Sequence, residues 1–262
     1  VDVSTSMIPK LDHARFALQE LLATVPARSE TFIEAFAGEP IMLQDFTDSR
    51  PVLYATLPYL RRELRRQGSL CSMEMADRGI MVRHCGTSLY DALLDGLQHI
   101  KKGGLWKKAL IVISDGLDNH SMGTLEEVVH TARESGVLIY AIGIGRIAQR
   151  SSFFGLAEDS IDVPVLKQAS ELTGGRLFTM SAEDVSGNAS ALAAATQIIA
   201  RELSSQYSLG YSPSRLGSHH REVQVVVRGK EADNLTVRSQ KGYTPDSQER
   251  EERRQAQRLQ QW

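Results

Sequence analysis

Two kinds of hydrophobic pattern alternate along residues 1–205 of the chain. Short apolar runs are typical of buried strands, whereas apolar residues three or four positions apart are typical of helices that pack on a sheet. The runs predict strands at 31–36, 41–46, 107–116, 137–145 and 176–180. The periodic stretches predict helices at 9–25, 50–64, 88–102, 124–136, 164–175 and 184–205. This alternation indicates the α/β class, with a doubly wound, mostly parallel central sheet flanked by helices.

The clearest strand and the clearest helix follow each other in the sequence. The segment 109–113 is continuously apolar, which predicts a central strand buried on both faces. The next helix has Thr124 as a capping residue and Glu127 three positions later, which together form a capping-box signal. Gly136 is typical of the residue that ends a helix.

The pattern changes after residue 205. Short stretches that resemble strands are separated by turns rich in Gly, Ser, Asn and His, and they lie at 206–211, 221–228 and 234–240. We therefore predict an α/β domain over 1–205, a small β appendage packed on it over 206–245, and a charged tail over 246–262.

The chain begins within an expected strand. Residues 1–3 are too few for a central strand, so we expect further residues upstream in the complete protein. If such residues are absent, the central strand is incomplete and Asp2, which follows its first residue, is expected to be poorly held.

Composition and charge narrow the range of partners. The 262 residues are 42% hydrophobic and 24% charged, which is typical of a globular protein. The formal net charge is −2, so bulk charge predicts neither a nucleic acid nor a membrane surface as the partner. No apolar run reaches the roughly 20 residues that a membrane-spanning helix needs. Cys71 and Cys85 either form a disulfide or remain two free thiols, and the sequence leaves both possibilities open.

Oxygen-bearing side chains occur where predicted elements end or begin. Asp2, Ser4 and Ser6 alternate after the first strand. Thr87 opens a helix, and Asp115 follows the central strand. Because ligands of open α/β sheets bind beyond the carboxyl ends of the strands, we expect these side chains at one edge. Carboxylates and hydroxyls without imidazole or thiolate suit a hard divalent cation, Mg²⁺ or else Mn²⁺ or Ca²⁺. Two anionic groups do not saturate such an ion, so a position remains for water or for a ligand carboxylate.

Each piece of this pattern also has a purely structural explanation. An Asp-x-Ser-x-Ser sequence occurs in capped strand-to-helix turns. Thr87 alone is explained by helix capping, and Asp115 followed by Gly116 is explained by a turn. The combination of all three, at the ends of the right elements, favours a metal site.

The same residues resemble the motifs of a known family. The sequence DVSTS at 2–6, the stretch GTSLYDAL at 86–93 and the stretch SDGLDN at 114–119 are similar to the three motifs of von Willebrand factor type A (VWA) domains. The resemblance covers about residues 1–205 and implies a Rossmann-like, three-layer fold. In that family the motifs form a metal-ion-dependent adhesion site.

The resemblance implies a role for each matched position. Ser4, Ser6 and Thr87 would bind the ion directly, whereas Asp2 and Asp115 would bind it directly or through water. An Asp or Glu side chain of a partner protein would complete the coordination shell. The chain is thus expected to be a metal-dependent binding module rather than an enzyme.

The last part of the chain also has a family likeness. The stretches YSLGYSPS, REVQVVVR and KGYTP are similar to the tail of a subfamily of VWA domains found mainly in Acidobacteria. This likeness implies a bacterial, exported protein whose role is undefined.

Two other functions stay open at this point. A metal-dependent phosphohydrolase also needs an aspartate at a strand end with Mg²⁺. Against it, Ser4 stands where a second aspartate is expected, and the sequence shows no lysine obviously placed to neutralise a phosphate. The other possibility is a structural module with an occupied or vestigial metal site.

Three nearby features have competing interpretations. Residues 118–120 either orient water around the ion or form a turn, and the turn is favoured. Asp91 is expected to be a favourable charge near a helix start. Phe153 and Phe154 either form an apolar contact beside the ion or pack on the following helix, which we favour.

Overall fold

The computed structural model describes residues 1–26, 28–69, 72–76, 80–84, 86–147, 160–181, 189–207, 209–210, 221–229, 237–239 and 242–243. The helices of these ranges are α1 (Leu11–Thr24), α2 (Arg50–Ser69), α3 (Leu89–Ile100), α4 (Leu125–Ser135), α5 (Val163–Glu171) and α6 (Ala189–Ser204), and a 3₁₀ helix (Thr5–Lys10) precedes α1. The strands are β1 (Thr31–Phe36), β2 (Pro40–Thr47), β3 (Ser72–Ala76), β4 (Ile80–His84), β5 (Ala109–Ser114), β6 (Leu138–Ile144), β7 (Leu177–Met180), β8 (Arg221–Glu222) and β9 (Gly242–Tyr243).

Parallel pairing organises the centre of the sheet. β6 lies between β5 and β7 and is parallel to both. β1 and β2 form an antiparallel pair. The segment 1–3 connects these two groups of strands, because the Asp2 amide donates to the Ile113 carbonyl at 2.9 Å and the Val3 amide donates to the Phe36 carbonyl at 2.8 Å. The start of the chain therefore lies between β1 and β5.

Two hydrophobic clusters cover the two faces of this sheet. Side chains alternate along β6: Tyr140, Ile142 and Ile144 belong to one cluster, whereas Ile139 and Ala141 belong to the other. Helices α1, α2 and α6 contribute to the first cluster, and α3, α4 and α5 contribute to the second. Helices thus flank both faces, which confirms the predicted α/β fold.

Local signals explain the best-defined helix. Thr124 Oγ1 accepts a hydrogen bond from the Glu127 amide, and the Glu127 side chain accepts one from the Thr124 amide, so the predicted capping box is confirmed. Gly136 ends α4 in the left-handed conformation, with φ of 68°.

Several predicted boundaries and one burial pattern were wrong. The stretch 5–10, with Pro9 inside it, is a 3₁₀ helix, and the α-helix begins only at Leu11. The antiparallel β3–β4 pair was not predicted. The first half of β5, residues 109–111, is only partly buried rather than covered on both faces, because it borders a cleft of about 590 Å³ that opens between β1 and β5.

Among the residues that the structure describes, the predicted appendage has fewer strand residues than expected. The stretch 221–228 is a strand only at β8, which pairs with β9, and β9 was not predicted. Residues 206–207, 209–210 and 237–239 are not strands. β9 lies near α4, and Arg238 forms an ion pair with Glu202 of α6, so both described parts touch the α/β domain. The division into three parts stays a prediction.

Some predictions fall outside the described residues. These are the pairing of Cys71 with Cys85, the packing of Phe153 and Phe154, and the charged tail. None of the described helices combines the length and the apolar character that crossing a bilayer requires.

Candidate metal centre

Asp2 is buried and firmly held. Its side chain has no exposed surface, and its backbone is hydrogen-bonded between β1 and β5. The carboxylate accepts hydrogen bonds from the Ser4 amide at 2.8 Å and from Ser114 Oγ at 2.6 Å. The expectation that a short first strand leaves Asp2 poorly held is therefore wrong, because neighbouring strands and two donors fix it.

The two serines of the first motif lie side by side. Ser4 is in extended conformation, and the 3₁₀ helix begins at the next residue, so the chain turns sharply at this point. As a result Ser4 Oγ and Ser6 Oγ are 3.1 Å apart. Ser4 is buried, whereas Ser6 is partly exposed. Two hydroxyl oxygens thus lie side by side close to Asp2.

Asp115 follows β5 at the same edge of the sheet. Its Oδ1 accepts from the Leu117 amide at 3.2 Å, and its carbonyl accepts from the Asp162 amide at 2.8 Å. Gly116 has φ of +81°, and a Cβ on it would lie 2.8 Å from Leu166 Cγ. Glycine is required at this turn because any side chain would strain the backbone and clash with α5.

Thr87 is held between two other loops. Its amide donates to Asn119 Oδ1 at 2.7 Å, and its carbonyl accepts from the Asn119 amide at 3.1 Å. The next residue, Ser88, donates its amide to Ala37 and its hydroxyl to Gly38, just beyond β1. Thr87 is therefore connected both to the loop that follows Asp115 and to the end of β1.

Two carboxylates hold the loop after Asp115 in place through hydrogen bonds. Asp118 Oδ2 accepts from the Tyr90 amide at 3.1 Å and from Ser121 Oγ at 2.5 Å. Asp91 accepts from the Met122 amide at 2.9 Å and from the Gly123 amide at 2.8 Å. The turn interpretation of 118–120 agrees with these contacts. Asp91 binds loop amides and is more than a charge near a helix start.

A buried lysine also reaches this edge. Lys10 ends the 3₁₀ helix and is 1% exposed, and its Nζ lies 3.2 Å from Asp115 Oδ2. Lys10 was not among the site residues predicted from the sequence. The signal was its spacing: Lys10 comes three positions after Met7 and one before Leu11, both buried in the core, so it lies on the inward side.

The two buried aspartates repel each other. Burial, and next the charge of Asp115, together raise the pKa of Asp2 to about 6, against opposing hydrogen bonds from Ser114 and Ser4. A divalent cation held by these carboxylates would favour their charged forms and so oppose this shift. The chemistry of the site therefore fits a bound cation.

The five predicted residues meet at one edge to different degrees. Asp2, Ser4 and Ser6 are linked by direct hydrogen bonds. Asp115 is near enough for its charge to act on Asp2. Thr87 is held against the loop that follows Asp115 by its hydrogen bond to Asn119. The described residues contain no group of three His, Cys, Asp or Glu side chains suited to a metal, so any ion here depends on hydroxyl donors.

Two supporting residues besides Lys10 were not recognised as such. Ser114 bridges Asp2 and the Gly116 amide, which donates to Ser114 Oγ at 2.9 Å. Asn119 holds Thr87 in place, because its Oδ1 accepts a hydrogen bond from the Thr87 amide. Both lie in the SDGLDN stretch, but only the fold shows which of its polar side chains point at the neighbouring loops.

Comparisons with known proteins identify the fold. The sequence profile of the von Willebrand factor type A domain matches residues 1–179. A comparison with curated proteins gave no match.

Solved structures with a similar fold share little sequence identity with this chain. The conserved hypothetical protein BatB from Bacteroides thetaiotaomicron is 15% identical, with a TM-score of 0.53 over 76% of this chain and 96% of its own. An aerotolerance-related membrane protein from Bacteroides fragilis is 15% identical, with a TM-score of 0.54 over 78% of this chain and 96% of its own. A von Willebrand factor type A protein from Catenulispora acidiphila is 14% identical, with a TM-score of 0.55 over 77% of this chain and 41% of its own.

Proposed function

The chain belongs to the von Willebrand factor type A domain family, whose members are generally protein-interaction modules, and from this premise we propose that it is a divalent-metal-dependent protein-binding module. A cation at the carboxyl edge of the sheet captures an acidic side chain of a partner protein. The observation that carries the proposal is the buried pair of aspartates beside two adjacent serine hydroxyls. These oxygen donors suit a hard cation and do not suit a softer metal.

Each residue has a defined task in this proposal. Ser4, Ser6 and Thr87 hold Mg²⁺, Mn²⁺ or Ca²⁺ through their hydroxyl oxygens, and Asp2 and Asp115 hold it directly or through water. The ion supplies an electrophilic position for a carboxylate oxygen. The chain's own groups keep the hydroxyls oriented and keep water away from the buried carboxylates.

Exposed apolar side chains at the same edge support a protein partner. Ile8 is 55% exposed after the first motif, Met122 is 96% exposed in the loop after Asp115, and Ile147 is 69% exposed after β6. All three follow carboxyl ends of strands of the sheet. A partner that presents a carboxylate flanked by apolar residues would bury them.

Calorimetric titration with Mn²⁺ and Mg²⁺ tests the metal site first. The chain is expected to bind one ion, and Thr87→Ala and Asp2→Ala are expected to lose that binding. Thr56→Ala is a matched control, because Thr56 is also buried but its hydroxyl donates to Val52 within α2. Loss of uptake in the control but not in Thr87→Ala would contradict the assignment.

A peptide-display selection tests the ligand. Peptides are selected on the immobilised chain in Mg²⁺ and eluted with EDTA. Every eluted peptide is expected to contain an acidic residue whose change to the amide abolishes binding, because only a carboxylate would coordinate the ion. Peptides that bind equally well in EDTA, or after that change, would argue for the structural alternative instead.

The phosphohydrolase alternative gains no support from Lys10. This lysine is buried and faces Asp115, so it does not present its ammonium to an incoming phosphate. Turnover of a generic phosphate ester that is abolished by Asp2→Asn would nevertheless favour that function over the binding module.

Bacterial origin and export belong to the proposal as well. The resemblance of the last part to the Acidobacteria-type subfamily supports them, and one structural neighbour is described as a membrane protein. Fractionation of cells that express the full-length protein is expected to find it outside the cytoplasm.

A further inference from the structure

The proposed metal site contains a charge that the proposed function does not use. Lys10 is 1% exposed, and its Nζ lies 3.2 Å from Oδ2 of Asp115, which is fully buried. Lysine is almost never fully buried unless its charge is paired, because removing an ammonium from water is expensive. An apolar residue would fill the same position without this penalty, so the charge itself needs an explanation.

The lysine approaches the site from the protein interior. It ends the 3₁₀ helix that begins directly after Ser4, so one short segment carries both motif serines and the ammonium. Met7 and Leu11, on either side in the sequence, are buried in the hydrophobic core. A ligand that enters from solvent therefore does not compete with Lys10 for the same space.

We infer that Lys10 is a resident counter-cation that weakens divalent-ion binding and makes the ion-loaded site require a carboxylate ligand. The inference rests on the proposed metal site and adds a property to it. The charges explain the effect. Asp2 and Asp115 with Lys10 carry one net negative charge, so a divalent ion leaves the site with one positive charge. A single ligand carboxylate then neutralises it.

The same count without Lys10 predicts a different site. The two aspartates alone would neutralise a divalent ion, and a ligand carboxylate would bring an excess negative charge into a buried place. Without Lys10, the metal ion alone neutralises the site. With Lys10, neutrality requires both the metal ion and a ligand carboxylate. By thermodynamic reciprocity, the carboxylate must raise metal affinity by the factor by which metal raises carboxylate affinity.

Mn²⁺ titration of the 262-residue chain tests this inference. Lys10→Gln removes the charge and keeps a hydrogen-bond donor for Asp115, and Lys10→Met is the second variant in case one of them folds poorly. Lys107→Gln is the matched control, because it removes the same charge from an exposed residue before β5, at the opposite end of the strand. Both Lys10 variants are expected to bind Mn²⁺ about tenfold or more tightly than wild type, and the control is expected to match wild type.

Thermal unfolding gives a second readout on the same proteins. Without metal, the Lys10 variants are expected to melt at a lower temperature, because Asp115 loses its buried partner. With saturating Mn²⁺ their melting temperature is expected to rise more than that of wild type, since the ion no longer meets a like charge.

A carboxylate probe tests the coupling. N-acetyl-aspartate amide at matched ionic strength is expected to tighten Mn²⁺ binding to wild type by a larger factor than to Lys10→Gln. Equal Mn²⁺ affinity in wild type and both Lys10 variants, or weaker binding in the variants, overturns this inference alone.

The remaining outcomes separate the inference from the proposed function. Binding by the Lys10 variants but not by wild type supports the counter-cation and overturns the metal-dependent function of the natural chain. No uptake by any of the proteins overturns both.

Discussion

The two ends of the parallel sheet differ in the chemistry of the side chains that gather there. At the carboxyl end, buried charges and hydroxyls meet within a small volume around Asp2 and Asp115. At the amino end, a cleft of about 590 Å³ opens between β1 and β5, and most of its walls are apolar side chains of α1, β1 and β5. The apolar cleft thus begins beside Val1, next to Asp2, and extends away from the oxygen atoms at the carboxyl end.

The position of the cleft explains this difference. It continues the slot in which residues 1–3 lie between β1 and β5, so its walls are the interior of a sheet. Apolar walls of this kind offer burial but few groups that would orient a ligand. The oriented oxygen atoms around Asp2 and Asp115 are therefore the better guide to a ligand site.

Each end also contains a buried carboxyl group with a raised pKa, but the surroundings differ. Burial and then the charge of Asp115 raise the pKa of Asp2 to about 6, against opposing hydrogen bonds. Burial raises the pKa of Glu34 to about 8, and Asp95 contributes to the rise. Asp2 lies among potential ion ligands, whereas Glu34 lines the apolar cleft, so only Asp2 is expected to respond to metal.

The largest expected effect is the loss of metal binding at the carboxyl end. Asp115→Asn keeps the size of the side chain and removes its charge, so Mn²⁺ affinity is expected to fall by about 100-fold or more. Calorimetric titration measures this fall. An unchanged affinity would show that the ion, if bound at all, is bound elsewhere.

The next largest effect is a loss of stability with no change in metal affinity. Leu22 lines the cleft and is 1% exposed, so Leu22→Ala is expected to lower the free energy of unfolding by about 3 kcal/mol. Urea denaturation measures the change. Mn²⁺ affinity of this variant should equal that of wild type at a temperature where both are folded, and a parallel loss of affinity would mean that the two ends are coupled.

The pH dependence of stability distinguishes the two buried carboxyl groups. The pKa of Asp2 rises from 3.8 to about 6 on folding, and that of Glu34 rises from 4.5 to about 8. The folded state then binds more protons than the unfolded state, so the free energy of unfolding falls as pH rises through each interval. For Glu34 the fall is on the order of 4 kcal/mol between about pH 4.5 and 8.

Urea denaturation over this pH range, with and without Mn²⁺, separates the two contributions. Glu34→Gln is expected to remove the decline above about pH 6, and Mn²⁺ is expected to offset only the Asp2 part below it. If Mn²⁺ left the whole profile unchanged, Asp2 would not be a ligand.

The smallest effects concern the most exposed apolar side chains. Met122 near the carboxyl end is 96% exposed, and Trp106 near the amino end is 94% exposed. Replacing either by serine is expected to change the free energy of unfolding by less than about 0.5 kcal/mol. Met122→Ser is expected to weaken binding of the selected acidic peptides about threefold or more, whereas Trp106→Ser leaves it unchanged. Equal effects on peptide binding would argue against a partner surface at the carboxyl end.

Much of the fold follows from local signals. The apolar runs of β5 and β6 and the capping box at Thr124 determine those elements from nearby residues alone, and the structure agrees with them. The β3–β4 pair was not recognised because its segments SMEMA and IMVRH are only five residues each, and the turn signal of Asp77 and Gly79 between them was overlooked. β8 and β9 are two residues each, too short for any periodicity.

The site was only partly accessible from the sequence. The residue types of Asp2, Ser4, Ser6, Thr87 and Asp115 point to a hard cation, because their chemistry is local. The roles of Lys10 and Asn119 depend on contacts with residues far away in the chain, namely Asp115 and Thr87. Spacing identifies Lys10 as facing inward, but only the packing of the 3₁₀ helix brings it to the carboxylate.

The close approach of Gly86 to His120 has an evolutionary consequence. A Cβ on Gly86 would lie 2.5 Å from Cγ of the His120 ring. The two positions therefore cannot vary independently. Among relatives that share this loop arrangement, a side chain at the first position should occur only with a smaller residue at the second, and such paired changes would record how the Thr87 loop and the Asp115 loop have been kept in contact.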